Sequence, residues 1–221
     1  MIRLFLLILV FNNGIITNCF SQKQERNSLR SISLRTNLFS FVELDAGIMV
    51  GVKYQINERF AAMIDPMFIF YDPYDNHQHQ PLGIKVKSDF RYYLDKYRPG
   101  RDRFFIAPEL HLKYVSTKKI DDFGFNCISG QCSYYMNAQY REVKSEAGGS
   151  VKLGTEIPLD KKETWSLEIY AGFGVKVIHY SEKDIPFGSS FVSTPTHQFP
   201  LLEDTPVPML PGFVKLSFRI W

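Results

Sequence analysis

The tripeptide His179-Tyr180-Ser181 sets an imidazole and a hydroxyl two positions apart, residue types on which nucleophilic catalysis draws. In a strand, residues two apart share a face, so both would continue the apolar face of Val175 and Val177. That is an unusual setting for either. The plainer account is a strand end entering a polar boundary zone, where His and Ser are ordinary, and it is the one expected; catalysis is the alternative. His77 and His79, in Asp75-Asn-His-Gln-His79, could approach a metal ion, but the third and fourth ligands of a stable site are missing, so a solvated loop is expected. His111, two residues from both Glu109 and Lys113, reads as part of a hydrogen-bonded polar interior. No phosphate-cradling glycine loop, metal-binding His-Glu pattern or dinucleotide fingerprint occurs, and no cofactor or metal is expected.

Cys127 and Cys132, in Cys127-Ile-Ser-Gly-Gln-Cys132, form an even pair once the leader is removed, and a disulfide stapling a loop is the natural reading for an exported chain. The leader is read from Arg3, the apolar run Leu4 to Phe11 and the small residues around Cys19-Phe20-Ser21. Asn12 and Asn13 interrupt the run too early for a membrane-spanning helix, and Asn18 does not suit a lipoprotein signal at Cys19. The expected division is a signal peptide over 1–21 and one domain over 22–221. The 26 basic and 23 acidic residues are mixed along the chain, for a net charge of +3, so there is no concentrated basic face for nucleic acid.

The elements that must position these residues are strands. From Ile84 to Leu94, Ile84, Val86, Phe90, Tyr92 and Leu94 share one face, while Lys85, Lys87, Asp89, Arg91 and Tyr93 share the other. Leu167, Ile169, Ala171, Phe173, Val175 and Val177 likewise oppose Glu168, Tyr170, Gly172, Gly174 and Lys176. Ala147, Val151, Leu153 and Ile157 oppose Lys144, Glu146, Ser150, Lys152 and Glu156. The same test gives eight candidate strands, near 31–41, 45–56, 59–71, 82–94, 103–116, 136–157, 164–181 and 210–221. Short and long connections alternate between most of them.

This pattern predicts an all-β fold, an eight-stranded antiparallel up-and-down transmembrane β-barrel behind a signal peptide. Its narrow lumen would be filled by a charged network of Arg35, Lys85, Lys87, Asp89, Arg91, Glu109, Lys144, Glu146, Lys152 and Glu168. Periodicity alone also suits a soluble lipocalin-like barrel with the faces reversed and a small apolar ligand inside. The final strand, Phe213 to Trp221, ends on an aromatic, as suits recognition by the outer-membrane insertion machinery. The expected setting is the outer membrane, with its lipid and lipopolysaccharide as neighbours and the chain as a monomer.

Ser33-Leu-Arg-Thr-Asn-Leu38, Gly83-Ile-Lys-Val-Lys-Ser-Asp-Phe-Arg-Tyr-Tyr-Leu94, Val151-Lys-Leu-Gly154 and Tyr170-Ala-Gly-Phe-Gly174 resemble the domain-of-unknown-function barrels of Bacteroidota outer membranes. That resemblance implies fold and location and carries no activity. The His-x-Ser pair separately resembles that of the lipid A 3-O-deacylases, also small outer-membrane barrels. On that likeness Ser181 would be the nucleophile, His179 its base, and Asp184, Glu182 or Glu203 the carboxylate orienting the imidazole. Glu182 and Lys183 depart from the Asn and small residue usual there. The function expected is a structural or surface-interaction role, with a lipid A ester hydrolase as the alternative.

Overall fold

The computed structural model describes residues 30–40, 45–71, 80–128, 131–191 and 204–220. The leader expected over 1–21 with Cys19, the pair His77 and His79, Glu203 and the terminal Trp221 lie outside these residues. The strands are β1 (Ser31–Asn37), β2 (Ala46–Met49), β3 (Gly51–Gln55), β4 (Phe60–Tyr71), β5 (Gln80–Tyr93) and β6 (Arg103–Phe125). They continue as β7 (Tyr134–Pro158), β8 (Trp165–Lys183), β9 (Ser189–Phe191), β10 (Val207–Met209) and β11 (Gly212–Arg219).

All pairings are antiparallel, and the strands close into a hydrogen-bonded ring. Its order is β1-β3-β4-β5-β6-β7-β8-β11, and β11 returns to β1 through Ser33↔Arg219 to Asn37↔Lys215. β2 continues the line of β3 past Val50, whose N–H donates to the Pro66 carbonyl, so the ring has eight staves, as the periodicity predicts.

Closure leaves no open edge around the ring, and each stave must alternate between an enclosed and an outer face. The charged sets are enclosed: Arg91 is 0% exposed, Lys87 7% and Glu168 0%. The apolar sets point out: Phe173 is 62% exposed, Leu110 67% and Phe68 63%. A conventional core is confined to small clusters, among them Met49, Met67, Ile69 and Val115.

One end of the ring carries short turns. Asn57 Oδ1 accepts from the backbone N–H groups of Arg59 and Phe60, each at 2.9 Å, a side-chain mimic of a backbone turn. Asp160 Oδ1 accepts from Trp165 N–H at 2.8 Å, and backbone donors of this kind hold its carboxyl below the usual carboxylate range. Glu163 ties two turns together, accepting from Tyr97 Oη at 2.6 Å and from Gly100 N–H at 2.7 Å. Burial, aided by that carboxylate, pushes the Tyr97 hydroxyl up, so it stays a donor.

At the other end the strands run further than periodicity indicates. β6 continues from the expected end near 116 to Phe125, and β7 begins at Tyr134, the two paired without interruption from Arg103↔Glu156 to Phe125↔Tyr134. Beyond Ser116 the contrast between faces fades, because Lys118, Asp122 and Asn137 share their side with Ile120 and Tyr135, although strand-favouring residues such as Thr117, Phe123 and Tyr140 remain. Stacked Phe125 and Tyr134, with ring centroids 4.8 Å apart, and the edge-on pair Phe123 and Tyr140 brace this hairpin. β9 pairs with β6 along it, and the Cys127–Cys132 disulfide closes its tip.

Because the disulfide encloses a short loop outside the ring, replacing both cysteines by serine should loosen only the tip, by about 2 kcal/mol. Hydrogen exchange read residue by residue should speed up around Phe125 and Tyr134 and stay unchanged in β4 and β5.

Candidate functional site

The ring's interior is where the chain concentrates charge, and three tiers can be followed along it. In the middle tier Arg35, from β1, donates to Glu168 on β8 at 2.8 Å and lies 3.2 Å from Asp65 on β4. Arg91 on β5 reaches the same Glu168 oxygen at 3.0 Å, and Lys215 on β11 reaches Asp65 at 2.6 Å. Lys152 on β7 bridges Asp89 and Glu109, at 2.6 Å to each. Every one of these side chains is buried. Gly51 makes room for them, because a Cβ there would run into the Asp65 carboxylate and lie 3.0 Å from Arg35 Cγ.

Toward the short turns, Glu156 gathers Lys53, the Tyr93 hydroxyl at 2.5 Å and the Ser166 hydroxyl at 3.1 Å. The Arg103 guanidinium lies 3.5 Å from the Tyr93 ring centroid, and that of Arg91 3.6 Å from the Phe105 centroid. A cavity of about 20 Å³ adjoins Glu156, Arg103 and Arg219, roughly room for one water. Toward the long connections, Glu146 accepts from Lys113 at 3.1 Å and Lys176 at 3.1 Å and lies 3.2 Å from Lys144, while Asp45 pairs with Lys113 and Lys144.

All ten residues expected to share the interior are on the inner face, Lys144 being only partly enclosed. Lys85 and Lys87 are buried there, Lys87 lying 4.7 Å from the Phe213 ring centroid. His111 is also enclosed, and neither of its ring nitrogens has a hydrogen-bond partner among the described residues. Sequence reasoning missed Asp65, Lys215 and Asp45 as network members. The available signal was a lone charge at the inward parity of an apolar strand, as in Ala61-Ala-Met-Ile-Asp-Pro-Met67 and Phe213-Val-Lys-Leu216.

His179 and Ser181 are on the outer face of β8, opposite Ser145 and Val143 of β7. His179 Nδ1 lies 3.0 Å from Asp204 Oδ1, with both side chains more than half exposed. The Asp204 backbone N–H donates to the Ile178 carbonyl at 2.9 Å, which fixes the carboxylate beside the imidazole. None of the expected acids fills that role among the described residues: Asp184 pairs with Arg141 at 3.4 Å, and Glu182 belongs to the inner parity of β8. Asp204 is 25 positions from His179, too far for spacing to suggest it. No hydrogen bond joins Ser181 to His179 among the described residues. No group of three or more His, Cys, Asp or Glu side chains among them could hold a metal ion.

These features define an all-β antiparallel ring with a salt-bridged interior and an apolar exterior. Residues 6–198 match the family described as "Protein of unknown function (DUF3575)", and the chain belongs to that family. No curated protein and no solved structure matches it.

Glu168 receives two buried arginines, so its removal leaves Arg35 to Asp65 at 3.2 Å and Arg91 to the more distant Glu156 at 3.7 Å, an enclosed tier one carboxylate short. Glu168→Ala should cost about 3–5 kcal/mol, measured by urea unfolding. Removing a solvated carboxylate, as in Glu58→Ala, should change stability by less than about 0.5 kcal/mol.

Proposed function

We propose that the chain is an outer-membrane β-barrel, exported by a signal peptide over 1–21, that acts through its outer wall and long-connection end without catalysis. The observation that carries this reading is the sense of the two faces. Charge is enclosed and large apolar side chains cover the outside, the reverse of a barrel whose outside meets water. A lipocalin-like interior would need the apolar set within, so the soluble alternative draws no support from Phe173, Leu110 or Arg91.

Two further features agree. Outward aromatics cluster near the short turns, where Trp165 lies 4.7 Å from Phe218 and Phe60 lies 5.3 Å from Tyr92 between ring centroids, as expected of an interfacial girdle. On β6 the outward apolar run Phe104 to Tyr114 spans 11 residues, matching the 9–11 that a tilted strand needs to cross a bilayer. No described helix is long and apolar enough to cross a membrane. The interior tiers oppose transport, because opening a path would strip paired charges of their partners. The short turns would then face the periplasm, and the β6–β7 hairpin with its disulfide would face outward for contacts.

Cell fractionation should recover the protein in the outer membrane, with gel mobility that shifts on boiling. Recovery as a soluble periplasmic monomer would refute this reading. The contact between His179 and Asp204 favours a second one, an ester hydrolase acting on lipid A with Ser181 as nucleophile. It requires the lipid A acylation pattern to differ between cells expressing wild type and Ser181→Ala; identical patterns dismiss it.

A further inference from the structure

The outer wall over β5 to β8 has a polar crown above an apolar groove. Four staves are paired up to one level, where Gln80 of β5 meets Lys118 of β6, Lys118 meets Arg141 of β7, and Arg141 meets Lys183 of β8. Among the described strands, the β6–β7 hairpin and β9 continue past it. Lys118, Arg141 and Lys183 are therefore cross-strand neighbours in one row, all exposed and all at outward parity. Like charges directly opposite one another in a sheet repel and destabilise it. Arg141 has one counter-charge, the exposed Asp184, and neither Lys118 nor Lys183 has an ion-pair partner among the described residues. The row thus keeps an excess of positive charge on a single wall.

Below it, on the same staves, lies a groove of about 380 Å³ bounded by Ile84, Leu112, Tyr114, Ala147, Val177 and His179. Leu112 and Val177 flank Ala147 in register, and Tyr114 and His179 flank Ser145 one step higher. The small β7 residues form a floor between taller walls. Two further steps along the strands lead to the row of cations, so groove and row are about 14 to 20 Å apart along the strand. Long basic side chains can lean over much of that distance while keeping their charged ends in water. An apolar slot with cations above its upper end matches an amphiphile with an acyl tail and an anionic head.

We propose that this wall is a specific site for a phosphate-bearing lipid, with one acyl chain in the groove at Ala147 and the phosphate on Lys118, Arg141 and Lys183. The site rests on the membrane-barrel reading and adds to it a ligand class and a place. Planar, forked Arg141 at the centre suits two phosphate oxygens, and the flanking lysines add point charges.

The test uses the full-length protein in detergent micelles, with lipid A as the probe and retained lipid read by native mass spectrometry. Wild type should retain lipid A, and each of Lys118→Gln, Arg141→Gln and Lys183→Gln should weaken retention roughly fivefold. Ala147→Phe fills the groove from the outer face without touching a charge or the interior, and should weaken retention as well. Wild-type retention in the triple charge variant, or in Ala147→Phe, overturns the site. So does displacement of lipid A by inorganic phosphate alone, which would make the row a site for free anions. Boiling-sensitive gel mobility, recorded on the same samples, separates the two ideas. A folded, membrane-inserted protein without selective retention defeats only the lipid site, and failure to insert defeats the barrel reading and the site with it.

Discussion

Glu168 is held by Arg35 from one side of the ring and Arg91 from another, and the rest of the interior follows from the need to neutralise groups that water cannot reach. Closing eight staves creates an enclosed column too narrow for bulk solvent. A charge placed there must meet an opposite charge from another stave. The partners are accordingly remote in sequence: Lys215 meets Asp65 across 150 positions, Arg35 meets Glu168 across 133, and Lys53 meets Glu156 across 103. Each such contact fixes the stagger of two staves, because a slip of one residue would turn an ionised side chain outward. The charges therefore contribute more to register than to net stability, where desolvation offsets most of their attraction.

Much of this architecture could be read from the chain because alternation survives wherever a strand separates two unlike environments. Lys85 to Tyr93 and Glu168 to Lys176 declare their faces without any partner being known. What periodicity could not give is pairing across the ring. Asp65 and Lys215 each stand alone among apolar neighbours, and nothing local says that they meet. Above Ser116 the alternation fails for another reason: both sides of the hairpin mix polar with apolar residues, so no contrast marks a strand that its backbone pairing nonetheless makes. The acid beside His179 escaped notice for the same reason as Lys215, since Asp204 is brought there by a distant segment. Membership of the DUF3575 family adds relatives to the chain and no assigned chemistry.

The two faces divide the labour. Inside, charges are consumed in one another's neutralisation and leave little for a ligand. Outside, above the apolar belt, Lys118, Arg141 and Lys183 stand side by side with one counter-charge among them. A fold that spends acids so fully on pairing its interior bases has left these three bases largely without them on a single wall, and that contrast within one molecule gives the row its meaning.

The β6–β7 hairpin is also lopsided. Past the row of cations it runs on for about 20 Å, with β9 beside it. Among the described strands, that extension belongs to one flank of the ring. On the membrane reading proposed above, turning it about its own axis would change what a neighbour meets, so packing side by side would be directional, as with tiles that have a marked edge.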